Sequence, residues 1–246
     1  MRRMVSALTL VVMLCAPANA ALLLNYNSDN TDTNAMPVQS ADSGLSVSPM
    51  TRGAGLGATL GHSIDSFSST LRAQVTNLTQ ALSGNRFVRW TVTPLPGRAV
   101  SYSNLTFYFF LPEKESGGIV YWSPYISFFS DAIGFTQPDM IGQIDMDVQP
   151  GQPTSLGPFA FDLSGVSALQ NVTSPTEFRL YYHSKYATHE VVSNRPNFYE
   201  PLGIGTANGG TNALNALFME GLVVPEPAVL GLAGICLVMF CRRAVR

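Results

Sequence analysis

FVRWTVTP, residues 87–94, places Val88, Trp90 and Val92 on one side of an extended chain and Phe87, Arg89 and Thr91 on the other. A period of two is the signature of a half-buried β-strand, because successive side chains in a strand point to opposite faces. Residues 94–97 supply Pro and Gly for a turn. LTFYFFL, residues 105–111, follows with Leu105, Phe107, Phe109 and Leu111 on one side and Thr106, Tyr108 and Phe110 on the other. That strand is apolar or aromatic on both sides, as expected when both faces are covered.

The same alternation continues downstream. Residues 119–130 read as a longer strand interrupted at Pro124, where a bulge or an edge is expected. Ile144, Met146 and Val148 alternate with Gln143, Asp145 and Asp147. Phe159, Phe161 and Leu163 alternate with Ala160 and Asp162, and Phe178, Leu180 and Tyr182 with Glu177, Arg179 and Tyr181. A last apolar run covers 214–224, and 22–26 is a candidate first strand. Upstream, 27–44 is rich in Asn, Asp, Ser and Thr and reads as a loop, and the glycines of 51–61 argue against a regular element. Phe67, Leu71, Val75, Leu78 and Leu82 recur at helical spacing, which predicts one amphipathic helix over 65–82. About eight strands and one short helix give an all-β expectation: an antiparallel β-sandwich, most plainly a jelly roll.

The two ends read differently. Arg2 and Arg3 precede an apolar run over 5–15, and Ala18-Asn19-Ala20 provides a small-x-small cleavage site. This is the build of a secretory signal peptide, with Ala18 and Ala20 at the positions read by signal peptidase and cleavage after Ala20. At the other end, Pro225-Glu226-Pro227 is followed by an uncharged stretch over 228–241 and then by Arg242, Arg243 and Arg246. Fourteen helical residues reach about 21 Å, short of a hydrocarbon core of about 30 Å, so this hydrophobic helix suits a transient anchor. The arginines hold their end on the cytoplasmic side.

This order of features resembles the PEP-CTERM sorting signal of Gram-negative bacteria. The resemblance implies a precursor held in the inner membrane by its tail, with Pro225, Glu226 and Pro227 recognised by an exosortase, a membrane cysteine protease that removes the tail. It also implies a mature form at the cell envelope or in the extracellular matrix, often alongside exopolysaccharide. The basic cluster departs from an uninterrupted run, since Ala244 and Val245 separate Arg243 from Arg246. A softer likeness runs through SPMTRGAG (48–55), NRFVRWTVTPLP (85–96), SDAIGF (130–135), FDLS (161–164) and EFRLY (177–181). It is similar to a jelly-roll ectodomain common among PEP-CTERM proteins, which implies a fold and a setting rather than a reaction. The expected organisation is a signal peptide over 1–20, an ectodomain over 21–224 and a sorting signal over 225–246.

Charge supports that division. Only 12% of residues are charged, against roughly 25% in ordinary globular chains. Residues 21–224 hold 15 of the 16 acidic and nine of the 14 basic residues, hence a net charge of −6 between two basic ends. With no basic run longer than a pair, nucleic-acid binding is not expected. Cys15, Cys236 and Cys241 all lie in the ends, so the ectodomain has neither a disulfide nor a thiol nucleophile.

Candidates for chemistry are few, and no enzyme is expected. Gly61-His62-Ser63-Ile64-Asp65 echoes a nucleophile elbow but has Asp65 in place of the second glycine that the strained turn needs. His183 and His189 read as surface or hydrogen-bonded residues rather than metal ligands. Asp139, Asp145 and Asp147 could offer oxygens to a structural calcium, although they lack the regular 1-3-5 spacing with glycine; solvent-facing carboxylates are the plainer reading, and no cofactor is expected. Tyr121, Trp122 and Tyr125 are the candidate sugar-stacking platform of a carbohydrate-binding module, with core packing as the blander account.

Overall fold

The computed structural model describes residues 20–27, 34–58, 65–72, 75, 77–110, 124–146, 155–184, 199–206 and 216–226. The strands in chain order are β1 (Ala21–Tyr26), β2 (Ala35–Met36), β3 (Val38–Ala41), β4 (Leu45–Val47), β5 (Met50–Arg52), β6 (Gly57–Ala58), β7 (Asp65–Arg72), β8 (Phe87–Pro94) and β9 (Arg98–Phe110). They continue with β10 (Pro124–Ser130), β11 (Gly142–Asp145), β12 (Ser155–Asp162), β13 (Thr176–Ser184), β14 (Tyr199–Thr206) and β15 (Leu217–Pro225). One short helix, α1 (Leu78–Ser83), lies between β7 and β8, its first turn capped by Asn77, whose side-chain oxygen accepts from the Gln80 amide at 2.9 Å.

The strands form two antiparallel sheets. The first runs β3-β1-β15-β9-β14-β7-β6, with β12 on the free side of β9. The second runs β11-β10-β13-β8-β5-β2, with β4 also on β8. Their inner faces share one aromatic core. Trp90 stacks on Phe178 at 5.7 Å and meets Tyr26 of the first sheet edge-on at 6.3 Å. Phe128 stacks on Phe161 at 5.2 Å, and Tyr102 packs on Phe178 at 5.0 Å. The fold is therefore an all-β sandwich. Both alternating stretches that predict it lie at its centre: Val88, Trp90 and Val92 are buried, as are Leu105, Phe107 and Phe109.

Three local expectations are corrected. The helix predicted over 65–82 is a strand followed by one helical turn and a half. Asp65–Arg72 pair residue for residue with Thr206–Tyr199 of β14, and only Leu78 and Leu82 of the periodic set lie on α1. Ser66, Ser68, Ser69 and Thr70 are weak helix formers, so the gain from sheet pairing outweighs the spacing of the apolar residues. The loop expected over 27–44 contains β2 and β3. Gln39, Ser40 and Ala41 are exposed on an edge strand, which needs no apolar alternation. The region of 51–61 carries β5 and β6 despite its glycines. In addition, β14 was not anticipated: Pro201, Gly203 and Gly205 disguise it. Among the described residues, Gly203 and Ile204 are the ones of this strand that pair with β9, while all eight residues from Tyr199 to Thr206 pair with β7. Pro124 is the first described residue of β10, and the 119–123 part of the expected strand lies outside the described residues.

Candidate functional site

The residues singled out in the sequence fall at two places, the end of β15 and the outer face of the second sheet. At the first, β15 runs through Pro225, which pairs with Arg98, and the Glu226 amide donates to the Gly97 carbonyl at 3.0 Å. Two of the three Pro-Glu-Pro residues are thus joined to the sheet beside the turn between β8 and β9. Ala20 is exposed and immediately precedes β1. Ala18, Pro227, Arg242, Arg243 and Arg246 lie outside the described residues.

On the second sheet the outer face carries Tyr125, Ser127 and Phe129 from β10, and Glu177, Arg179, Tyr181 and His183 from β13. Tyr125 is half-buried, its ring 5.3 Å from that of His183. Tyr121 and Trp122 lie outside the described residues, so Tyr125 is the described member of that platform. Beside it, the Gln143 amide nitrogen donates to Ser127 Oγ at 2.9 Å and faces His183 Nε2 at 3.2 Å, and Ser127 Oγ is itself 3.2 Å from His183 Nε2. An amide nitrogen only donates, so this arrangement suits the imidazole tautomer in which Nε2 accepts. Ser127 and His183 are both buried, which makes the group a polar strut across β11, β10 and β13 rather than a hydroxyl presented to solvent.

Further along the face, Arg179 is held on all sides. Its guanidinium lies 3.7 Å from the Phe135 ring centre and 4.4 Å from that of Phe87. Nε donates to Glu177 at 2.6 Å and Nη1 to the Tyr181 hydroxyl at 3.0 Å. Burial opposes its charge, but the bonds to Tyr181 and Glu177 outweigh burial and raise its pKa above the ordinary arginine value. Arg89 approaches Glu177 at 3.7 Å from an exposed position, a contact of little energetic weight. Neither the strut nor this array was identified as a unit from the sequence. The available signal was the run Glu177, Arg179, Tyr181 on the strand face opposite Phe178 and Leu180, but its partners come from strands distant in the chain.

The acids proposed for calcium do not converge in the part that is described. Asp139 closes a short turn: its Oδ2 accepts from the Thr136 amide at 3.0 Å and from the Thr136 hydroxyl, and these bonds hold its carboxyl below the ordinary range. Asp145 is exposed on β11, and Asp147 lies outside the described residues, as do His62, Ser63 and His189. No group of three or more His, Cys, Asp or Glu residues suited to a metal occurs among the described residues.

Between the sheets, Arg52 lies 3.7 Å from the Phe67 ring centre. Burial lowers its pKa to about 10, with the Tyr182 side chain acting in the opposite direction. Comparison with protein-family models, curated proteins and solved structures gives no match for this chain.

Proposed function

We propose that this chain is a secreted, non-enzymatic surface or matrix protein sorted by a PEP-type C-terminal signal. The observation that carries the reading is the succession of sequence features at the C-terminus: Pro225-Glu226-Pro227, an uncharged stretch over 228–241, then Arg242, Arg243 and Arg246. The apolar and basic N-terminus supports it, because a chain exported through one membrane can be held there by the other end. In this account signal peptidase acts after Ala20, the tail sits in the inner membrane, and an exosortase releases the domain to the envelope or matrix. The jelly-roll topology belongs to the same proposal, supported by two antiparallel sheets over one core. Joining Pro225 to β9 and Glu226 to the turn before it adds a requirement: the protease must engage Pro227 and beyond, or first peel the end of β15 from the sheet.

Replacing Pro225, Glu226 and Pro227 together with alanine tests the sorting step. The expected result is a larger precursor retained in the inner membrane. Processing to the same size and place as the unchanged chain would overturn it.

A second reading, binding of exopolysaccharide as a carbohydrate-binding module, is favoured by the half-buried Tyr125 beside His183 on the outer sheet face. Binding on a glycan array that is lost in Tyr125→Ala and Trp122→Ala would support it. The same glycan profile in both variants would remove the aromatic platform from consideration.

A further inference from the structure

The chain enters and leaves the sandwich at one end. β1 begins at Ala21 opposite Gly221 of the antiparallel β15, and β15 continues past that pair as far as Pro225, so the start of β1 and the finish of β15 lie at the same end of the first sheet. There the Glu226 amide is bonded to Gly97, in the turn whose Leu95 and Pro96 are exposed. Pro227 alone separates Glu226 from the uncharged stretch over 228–241. Extended chain spans at most about 3.6 Å per residue, so that stretch starts within roughly 7 Å of the last bonded residue.

The surface at this turn has a fitting composition. Leu95 is 40% exposed, one of three large hydrophobic side chains so exposed among the described residues. Pro96 beside it is exposed, and so is Arg98. An apolar tip with a neighbouring guanidinium matches the boundary of a phospholipid bilayer, where leucine enters the interfacial layer and arginine meets phosphate.

We propose that the turn formed by Leu95, Pro96, Gly97 and Arg98 is a membrane-contact surface that seats the precursor directly on the bilayer, with β8 and β9 rising away from it. This rests on the reading of 228–241 as a membrane segment. With no linker, the domain has little freedom to tumble above the lipid, and the bonded end of β15 is held at the membrane surface where a membrane protease works.

The test uses residues 21–246, the precursor as it stands after signal peptidase in this reading, with Cys236 and Cys241 replaced by serine and one new cysteine carrying a polar fluorophore. Leu95→Cys and Pro96→Cys report on the turn. Ser83→Cys reports on the far end of β8, an eight-residue strand about 26 Å long at roughly 3.3 Å per residue. The chains are reconstituted into phosphatidylcholine–phosphatidylglycerol vesicles bearing a headgroup spin label. The expected result is co-flotation with the vesicles and severalfold stronger quenching at 95 and 96 than at 83. Co-flotation with equal quenching, or with stronger quenching at 83, overturns the seating while leaving the anchor intact. Failure to co-float overturns both readings.

Discussion

Tyr182 brings a hydroxyl into a fully buried position in the aromatic core, where it finds no hydrogen-bond partner among the described residues. Burial holds its phenol far above the ordinary tyrosine range, with the charge of Arg52 pulling the other way. A buried polar group without a partner costs about 1–3 kcal/mol relative to leaving it in water. Tyr182→Phe should therefore be neutral or stabilise the domain by about 1 kcal/mol in urea unfolding; a clear loss of stability would contradict this environment. Gly221 makes the opposite case. It sits at the register shift between β15 and β9, and a Cβ there would collide with the Ser101 carbonyl oxygen. Gly221→Ala should cost about 1–3 kcal/mol, as overpacking against backbone does, and a wild-type unfolding midpoint would refute the close approach.

Among the elements, β13 carries Glu177, Arg179, Tyr181 and His183, whose side chains make polar contacts on the outer sheet face. Arg179→Lys keeps the charge but loses the planar contact with Phe87 and Phe135 and the fork to Glu177 and Tyr181. A loss of about 1–2 kcal/mol is expected by chemical denaturation, and a neutral substitution would show that charge alone matters there. The turn before β11 carries a pH signature. Asp139 is held below the ordinary carboxylate pKa of about 3.9, so its contribution is present above that value and is lost as pH falls through the lower, folded-state value. Asp139→Asn should flatten the acid limb of the stability–pH curve, and an unchanged limb would contradict the Thr136 bonds. The same elements show what was legible in the sequence. β8, the Leu105–Phe110 part of β9, and β13 announced themselves because one face is apolar and buried. β3 did not, since an exposed edge has no apolar face, and β14 did not, since glycine and proline hide a strand whose pairing partner β7 is remote in sequence. β7 carries a helical period because serine and threonine leave only its sparse apolar residues, Phe67 and Leu71, to set one. At the site, the position of Tyr125 on the outer face was within reach of sequence reasoning. The Ser127–Gln143–His183 strut was not, because it joins three strands whose register only the folded sheet defines.

For the whole molecule, an acidic, cysteine-free sandwich stands between two apolar ends of the sequence, and the start of β1 and the finish of β15 lie at one end of the first sheet. The low charge is a property of the domain, and the two basic ends reduce its net −6 to −2 for the whole chain. If the ends serve delivery, the mature protein consists of the sandwich and little else. The central claim is that both ends are removed, and the intact mass of the protein recovered from the envelope or matrix of the producing cell tests it most directly. The predicted species begins at Ala21 and ends within a few residues of Pro227. A recovered chain that still extends to Arg246 would contradict the account.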